Sequence, residues 1–367
     1  MATDTISFAR GAPSADILPA EAVREAAAQA LEGDWQRALS YGTGVGHTGL
    51  GEWIAGLHGI EPDQVMVTNG SMEAAALLFQ HTLEPGDRVI VEQPTYDRTL
   101  LLLGRAGVEL VPVRLEADGI DVNGVEAALA SRPVRFAHII PNFHNPAGCT
   151  LAAAKRTRLV ELAAEHGFTL FEDDPYRLVR FGGPEHETML SQDRAGRVIH
   201  ASSFSKTVSP GVRVGYLAGE RDEIARLAKR AGETYISPNM LAEAIVYALC
   251  DSGALERNIE FVNGALRDRR DALVEALGEH LPEAEFVVPE GGYFLWLTLA
   301  EDVDSVALLR AAAAEGVSFV AGPDFLIEGG ANALRLSFAS VPAERVAEGV
   351  ARIARALDGL RAGRAAA

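Results

Sequence analysis

Lysine is scarce in this chain: only three of its 33 basic residues are lysines, and the rest are arginines. An arginine keeps its charge, whereas a lysine amine can lose a proton and attack a carbonyl carbon. Lys155 and Lys229 lie in segments with helical periodicity and charged neighbours, as expected of solvated helix faces. Lys206 precedes a Ser-Pro-Gly turn at a predicted strand end, where active-site groups of open α/β sheets collect. On this segment alone, a nucleophile and an exposed loop lysine are equally good interpretations.

Cysteine, net positive charge and long apolar runs are also scarce, and each absence excludes a class of protein. Cys149 and Cys250 are too few for a disulfide framework or a zinc site, which fits a reducing cytoplasm. A formal net charge of −18 disfavours unspecific binding to nucleic acid, which needs a positive field over the phosphates. No apolar run approaches the length of a membrane span, and no signal-peptide pattern is visible. We expect a cytoplasmic protein that binds neither nucleic acid nor membrane.

Short β-rich runs alternate with amphipathic stretches between residues 71 and 217. Predicted strands span residues 88–91, 108–113, 134–140, 168–172, 198–201 and 212–217, and predicted helices span residues 71–82, 95–106, 122–130 and 151–166. Near-continuous apolar strands separated by helices predict a largely parallel sheet that is covered on both faces.

The last third of the chain is a looser mixture of elements. Predicted helices span residues 242–249, 254–280, 305–314 and 343–357, and predicted strands span residues 285–288, 293–297, 318–320 and 333–338. This pattern indicates a smaller α+β domain, and a length of 367 residues exceeds a single typical core. The Ala- and Arg-rich residues 362–367 are expected to form a disordered tail.

Two glycine-containing segments resemble anion-binding loops. Gly70, Ser71 and Met72 lie between a predicted strand and a helix, where free backbone NH groups and the helix dipole favour negative charge. An ordinary serine N-cap is the better interpretation of that segment alone. Residues 41–49 contain a G-x-G-x-x-G pattern but lack a preceding strand and a suitably placed acid, so we exclude a dinucleotide-binding turn. We expect a flexible glycine loop before a helix over residues 50–58.

Polar side chains also end two predicted strands. Asn145 precedes Pro146, which restricts the backbone and holds the amide rigidly, although a plain turn is an equally good interpretation. Glu172, Asp173 and Asp174 end the next strand. They could bind a metal, act as acid and base, or place one acid beside a cationic heterocycle. Because side chains alternate along a strand, Asp173 points away from the other two acids, which favours the last use.

Two arginines have unusual settings. Arg213 lies seven residues after Lys206, beyond a turn, and could return a fixed charge toward it. Arg335 is a lone charge in an apolar strand, where an unpaired buried charge is unfavourable, so it needs an anionic partner. A structural salt bridge and a bound anion meet that need equally well. His138 and His144 lack metal-like spacing to other ligands, and we interpret them as structural.

Together these features are what a pyridoxal 5′-phosphate enzyme needs: an amine, an anion-binding helix start, a fixed amide, an acid, a tyrosine and two arginines along successive strand ends. The lysine forms an imine with the cofactor aldehyde, and the acid keeps the pyridine nitrogen protonated so that the ring accepts electrons. The amide and the tyrosine tune the ring oxygen, while serines, the helix start and an arginine hold the phosphate.

On these residues the chain resembles a fold-type I pyridoxal-phosphate aminotransferase of class I/II, in the aspartate aminotransferase superfamily. It is similar in particular to the branch of 2-aminoadipate and kynurenine aminotransferases and the aminotransferase-like domains of MocR regulators. The resemblance covers nearly the whole chain and depends on the combination of four motifs: Asn-Pro-Ala-Gly at 145–148, Asp-Asp-Pro-Tyr at 173–176, Ser-Phe-Ser-Lys at 203–206 and Pro-Gly-Val-Arg at 210–213.

The resemblance implies an α/β fold with a largely parallel central sheet in a large domain and a smaller α+β domain. Residues 1–38 form an N-terminal arm that is part of the small domain. Residues 39–255 form the large cofactor-binding domain, and residues 256–361 form the small C-terminal domain.

The resemblance also implies a role for each motif residue, with no metal. Lys206 forms the imine and moves the substrate α-proton, and Asp173 pairs with the pyridine nitrogen. The catalytic residues are Lys206, Asp173, Tyr176 and Asn145. The cofactor contacts are Gly70, Ser71, Met72, Tyr96, Asn145, Asp173, Tyr176, Ser203, Ser205, Lys206 and Arg213, with Tyr41 from the neighbouring subunit of a homodimer. The substrate contacts are Asn145, Gly11 and Arg335, which grips the α-carboxylate.

The predicted activity is transfer of an amino group from an amino acid to a 2-oxo acid by a ping-pong mechanism. No second arginine is placed to bind a distal carboxylate, which favours an aromatic, branched or other apolar donor. A β- or γ-lyase or a racemase on the same cofactor is the alternative, because these differ in substrate orientation over the same ring. A ligand-sensing MocR-type domain is disfavoured by the charge and by the start of the resemblance at residues 11–13.

Overall fold

The computed structural model describes residues 5–365, which form an eight-stranded central sheet flanked by helices and two smaller sheets. The strands are β1 (Ile6–Ser7), β2 (Val65–Thr68), β3 (Arg88–Gln93), β4 (Glu109–Glu116), β5 (Gly119–Ile120), β6 (Phe136–Ile139), β7 (Thr169–Asp173), β8 (Val198–Ser203), β9 (Gly215–Ala218), β10 (Phe294–Thr298), β11 (Val317–Ser318), β12 (Val320–Ala321) and β13 (Ala333–Ser337). The helices are α1 (Ala20–Glu32), α2 (Trp35–Ala38), α3 (Thr48–His58), α4 (Ser71–Thr82), α5 (Asp97–Arg105), α6 (Val122–Ser131), α7 (Ala153–His166), α8 (Met189–Gln192), α9 (Arg221–Tyr235), α10 (Met240–Asp251), α11 (Ala254–His280), α12 (Ser305–Ala314) and α13 (Ala343–Ala365).

The central sheet has the strand order β2-β9-β8-β7-β6-β3-β4-β5. Neighbouring strands from β8 to β4 are parallel, whereas β9 is antiparallel to β2 and β8, and β5 is antiparallel to β4. Successive strand residues are buried on opposite faces: Ile90 packs in one hydrophobic cluster, and Val89 and Val91 pack in another. The predicted largely parallel sheet, covered on both faces, is therefore confirmed.

One edge of this sheet collects the motifs that the sequence singled out. β2, β3, β6, β7 and β8 run in the same direction, so their carboxyl ends meet at that edge. β9 runs the opposite way and begins at Gly215, so the residues just before it return to the same edge. This topology places Arg213 beside the end of β8.

A second region contains the antiparallel sheet β10-β13-β12 with α11, α12 and α13. Its hydrophobic cluster includes Phe8 and Leu336, and β1 pairs with β11, so the start of the chain packs in this region. Helix α1, in contrast, packs against α10. The limits of the two domains stay a prediction.

Two predicted strands differ from the structure. Residues 285–288 do not form a strand, because Glu285 makes only an isolated bridge to Thr298 before the chain turns away with Val288 exposed. The strand predicted over residues 212–217 is β9, which begins only at Gly215. The residues before it cannot extend the strand, because Pro210–Val212 is a 3₁₀ helix and Arg213 adopts a left-handed conformation with φ 51°.

The C-terminal segment also differs from its prediction. Residues 362–365 continue α13 instead of forming a disordered tail, because alanine and arginine are strong helix formers, and residues 366–367 lie outside the described residues. The glycine loop leads into α3, as predicted, and the element directly before the loop is the helix α2. Nowhere in the described part of the chain is a helix both long and apolar enough to cross a membrane.

Candidate active site

Lys206 lies in the turn that follows β8, at the edge where the parallel strands end. Its Nζ donates a hydrogen bond to the carbonyl oxygen of Gly11 at 2.8 Å. The same atom lies 5.0 Å from the ring centroid of Tyr293 and 5.5 Å from that of Tyr176. The amine is thus held between two aromatic rings and the N-terminal arm.

The charge of this amine is disfavoured by its surroundings. Burial, followed by the positive charges of Arg335 and Arg213, lowers the pKa of Lys206 to about 8, while the carboxylate of Asp173 acts in the opposite direction. At neutral pH about a tenth of the amine is therefore unprotonated, far more than for an ordinary lysine. An unprotonated amine is the form that attacks a carbonyl carbon or accepts a proton from carbon.

Asp173 ends β7 and faces the same cleft. Its Oδ2 lies 3.2 Å from Nε2 of the fully buried His138, which is also 3.4 Å from Oγ1 of Thr99. Glu172 and Asp174 point to the opposite side and are both completely buried. The predicted alternation along the strand, which leaves one acid facing the cleft, is confirmed.

The other two acids are held by hydrogen bonds within the fold. Glu172 accepts from two backbone NH groups at the start of α8 and lies 3.0 Å from Nδ1 of His200. Asp174 accepts from Nδ2 of Asn142 at 2.7 Å, and burial raises its pKa to about 6. Among the described residues, Glu172, Asp174 and His200 are the group with metal-like proximity, and within it Glu172 is hydrogen-bonded to His200.

Arg335 is buried, with 6% of its surface exposed. Its Nη1 donates to Oδ1 of Asn145 at 2.9 Å, and Nη2 donates to the carbonyl of Ala9 at 2.8 Å. Its guanidinium lies 4.2 Å from the ring centroid of Phe294 and 4.8 Å from that of Phe325. Within residues 5–365 its hydrogen bonds thus go to neutral oxygens, and Nε has no partner. Of the two open interpretations, a bound anion fits better than a structural salt bridge.

A cup of hydrogen-bond donors lies between the ends of β2 and β8. Arg213 donates from Nη1 to Oγ of Ser205 at 3.2 Å and from Nη2 to the carbonyl of Asn69 at 3.3 Å. The hydroxyl of Ser203 donates to that of Ser205 at 2.9 Å. A Cβ at Gly70, where φ is 91°, would collide with the Arg213 guanidinium, so only glycine allows this approach.

One cavity of about 140 Å³ brings most of the predicted site residues together. Its lining includes Ser71, Met72, Tyr96, Asn145, Asp173, Tyr176, Ser203, Ser205, Lys206 and Arg213. Gly70 and Gly11 adjoin it through their contacts with Arg213 and Lys206. Tyr41 is not part of this lining, and 83% of its surface is exposed.

These groups fit pyridoxal phosphate. The first NH groups of α4 have no partner in the helix ladder and, with the serines and Arg213, supply donors for a phosphate. Burial raises the pKa of Tyr96 to about 12 and that of Tyr176 well above its ordinary value, so both hydroxyls stay protonated as donors. The amine of Lys206 and the carboxylate of Asp173 line the same cavity, as an aldehyde and a pyridine nitrogen require.

Two contacts at the site were missed by sequence reasoning. His138 was interpreted as structural, yet it contacts Asp173, and the pairing of His138 with Phe171 puts it on the same sheet face as that acid. Strand register was the signal that could have found it. The hydroxyl of Tyr293 donates to the backbone carbonyl of Lys206 at 3.1 Å, a contact between distant segments that no local pattern indicates.

The fold and this site define an enzyme that uses pyridoxal phosphate on a fold-type I scaffold. The chain belongs to the aminotransferase class I and II family, whose model matches residues 3–353. It is 34% identical over 365 residues to aromatic-amino-acid aminotransferase 1 of Thermococcus litoralis, covering 96% of this chain and 88% of that relative.

Two solved structures have the same fold over almost the whole chain. A kynurenine aminotransferase of Pyrococcus horikoshii is 33% identical, with a TM-score of 0.93 and coverage of 98% of this chain and 92% of that one. An α-aminoadipate aminotransferase of Thermus thermophilus, complexed with N-(5′-phosphopyridoxyl)-L-leucine, is also 33% identical, with a TM-score of 0.93 and coverage of 98% and 94%. This chain is therefore a pyridoxal-phosphate-dependent aminotransferase.

Proposed function

We propose that the enzyme takes the amino group from an amino acid with an aromatic, branched or otherwise apolar side chain and transfers it to a 2-oxo acid by a ping-pong mechanism. The observation that carries this proposal is Arg335, whose unused donors lie between two phenylalanine rings and beside Asn145. Its planar fork suits an α-carboxylate, and the rings beside it suit an apolar side chain.

The surroundings of Arg335 support an apolar donor. The rings of Phe294 and Phe325 form an aromatic wall beside Arg335. Trp296 extends this wall, because it packs edge-on against Phe325 with ring centroids 5.7 Å apart. Arg213 lines the cavity but already donates to Oγ of Ser205 and to the carbonyl of Asn69, so it is not free to bind a distal carboxylate. The Thermus relative, named for α-aminoadipate, was solved as a complex with N-(5′-phosphopyridoxyl)-L-leucine, a conjugate with an apolar side chain.

When bound, pyridoxal phosphate supplies an electron-accepting ring that stabilises negative charge at the substrate Cα. Asp173, oriented by His138, would hold the proton of the pyridine nitrogen, and Asn145 and Tyr176 would contact the ring oxygen. Tyr96 would pack against the ring. The pKa of the Lys206 amine is about 8, so the neutral amine can accept the α-proton from the substrate Cα. The same amine then returns a proton to complete the amino transfer.

The donor cup would hold the phosphate; it consists of the start of α4 at Gly70, Ser71 and Met72 together with Ser203, Ser205 and Arg213. The carbonyl of Gly11, which accepts from Lys206, places the N-terminal arm against the substrate. Arg335 and Asn145 bind the substrate α-carboxylate as a pair.

We also propose a homodimer in which Tyr41 reaches the phosphate of the neighbouring subunit. Large apolar side chains that would be buried by such a partner are exposed between residues 31 and 45: Leu31, Trp35, Leu39, Tyr41 and Val45. The division into an arm, a large domain and a small domain is part of the same proposal. Cys149 and Cys250 are free and buried, which supports a cytoplasmic location.

The test compares Lys206→Ala with Lys229→Ala, whose lysine is exposed on α9. We expect Lys206→Ala to lose turnover and the visible absorption that wild-type enzyme shows with cofactor, while Lys229→Ala keeps both. With donor alone, wild type should convert to the pyridoxamine form without releasing ammonia. Full activity of Lys206→Ala would contradict the proposed role, and release of ammonia with a 2-oxo acid would indicate a lyase instead.

A further inference from the structure

Glu92 is a buried carboxylate at the end of β3 that the proposed chemistry does not use. Its Oε2 accepts from the backbone NH of Ile140 at 2.9 Å and lies 3.0 Å from Nε2 of His144. Glu92 is 1% exposed and His144 is completely buried. Because a buried carboxylate is unfavourable without donors, both contacts hold the segment that follows β6 against β3.

The tautomer of His144 follows from a second contact of its ring. The backbone NH of Ala147 donates to Nδ1 at 3.3 Å, so Nδ1 is the unprotonated acceptor. Nε2 therefore carries the proton, which it donates to Glu92. The imidazole links a buried carboxylate on one side to the backbone of its own turn on the other.

Asn145 lies inside the turn that this imidazole closes. Its Oδ1 accepts from Arg335 at 2.9 Å, so any shift of the turn moves the amide away from the guanidinium. We propose that Glu92 and His144 are positioning residues that hold the Asn145 amide at Arg335 and thereby set the affinity for the substrate carboxylate. This inference rests on the proposed carboxylate-binding role of Asn145 and Arg335.

The experiment is a double-mutant cycle on substrate KM, with the variants His144→Leu, Asn145→Ala and their combination. Loss of a hydrogen bond to a charged group predicts that each single variant raises KM for the amino acid and the 2-oxo acid about tenfold. In His144→Leu, kcat should change less than KM, because His144 does not touch substrate or cofactor. If His144 acts through Asn145, the double variant should be no worse than Asn145→Ala alone.

Two further variants separate positioning from general packing. In His144→Gln the amide can still accept from Ala147 and donate to Glu92, so KM should return close to the wild-type value. His58→Leu is the control, because His58 bonds the hydroxyl of Tyr216 at 2.9 Å in a different buried network. Its effect should multiply with that of Asn145→Ala. If His144→Leu does not fold, the combination of Glu92→Gln with Asn145→Ala provides the same cycle.

Two results would overturn the inference. The first is an unchanged KM in His144→Leu, and the second is full multiplication of its effect with that of Asn145→Ala. An unchanged KM in Asn145→Ala itself would additionally remove the proposed role of Asn145 in binding the carboxylate. In that case the failure lies in the proposed function, because the single variant at residue 145 already reveals it.

Discussion

Burial lowers the pKa of the Lys206 amine most, and positive charges contributed by distant segments lower it further. Arg213 precedes the antiparallel strand β9, and Arg335 lies on β13 of the second region, yet both lower the pKa of the same side chain. Asp173 partly offsets them from the neighbouring strand β7. The three lysines of the chain therefore have very different environments, and they can be compared within one protein.

Competitive acetylation of the cofactor-free enzyme should distinguish these lysines. Only the neutral amine reacts, so Lys206 should reach half of its maximal reactivity near pH 8. At Lys155, burial lowers the pKa, but hydrogen bonds to Asp118 and Glu116 outweigh it and raise the pKa, so its midpoint should lie above that of an ordinary lysine. Mass spectrometry of each peptide against pH measures both midpoints.

The variant Arg335→Gln provides the control for this titration. It removes one positive charge beside the amine, so the Lys206 midpoint should move to higher pH while that of Lys155 stays in place. Equal midpoints for the two lysines in the wild-type protein would contradict the lowered pKa.

Arg335 itself should control affinity for the carboxylate common to all substrates. Replacing Arg335 by Gln should cost about 1.5–3 kcal/mol of binding, on the order of 10- to 100-fold in KM. Arg335→Lys keeps the charge but loses the planar fork, so its KM should fall between those of wild type and Arg335→Gln. Steady-state kinetics with one aromatic and one dicarboxylic donor measure this effect, and an unchanged KM in Arg335→Gln would contradict it.

At the scale of single elements, hydrogen bonds to the carboxylate of Glu73 hold the turn before α4 in place. Glu73 in the first turn accepts from the backbone NH of Asn69 at 2.7 Å and from its side chain at 3.0 Å. Oδ1 of Asn69 in turn accepts from the NH of Asn239 at the start of α10 at 2.9 Å. The turn before α4 is therefore fixed on two sides, which keeps Gly70 in its unusual conformation with φ 91° and ψ 159°.

Gly70→Ala should weaken cofactor binding more than backbone strain alone explains. A Cβ there meets the Arg213 guanidinium, so we expect at least about a tenfold loss of cofactor affinity and a stability loss on the order of 1–3 kcal/mol. Gly59→Ala is the matched control, because Gly59 also has positive φ but its Cβ would meet nothing within 4 Å. Cofactor titration and thermal unfolding measure the two effects, and equal losses of affinity in both variants would contradict this account.

At the scale of the whole molecule, one predicted site residue does not line the cavity of its own chain. Tyr41 is 83% exposed and follows the exposed side chains of Trp35 and Leu39. If a second copy covers this surface, each active site contains residues of both subunits. Shared sites predict that a mixed dimer of two different variants contains one site with both native residues.

Two inactive variants should therefore complement each other. Subunits with Lys206→Ala and subunits with Tyr41→Ala, unfolded and refolded together, should form mixed dimers in which one site has both native residues. Random pairing predicts recovery of about a quarter of the wild-type sites. Each variant refolded with itself is the control, and no recovery in the mixture would contradict the placement of Tyr41 in the neighbouring site.

The sequence by itself determined the architecture and the main candidates for the site. Near-continuous apolar strands separated by helices predicted the doubly covered sheet, because burial on both faces removes the polar alternation. Alternation along one strand also separated Asp173 from Glu172 and Asp174, because successive side chains of a strand point to opposite faces. These are local rules, so they can be applied to a single segment.

Only the tertiary structure decided which distant groups meet. Arg335 contacts Asn145 across 190 positions of the chain, and Tyr293 contacts the backbone of Lys206 across 87. His138 contacts Asp173 through strand register, and Arg213 returns to the site because β9 runs against its neighbours. Such contacts depend on how strands and helices pack rather than on local propensity. The scarce lysine was therefore visible in the sequence, but its lowered pKa was not, because burial and the charges around it come from separate segments that only the fold brings together.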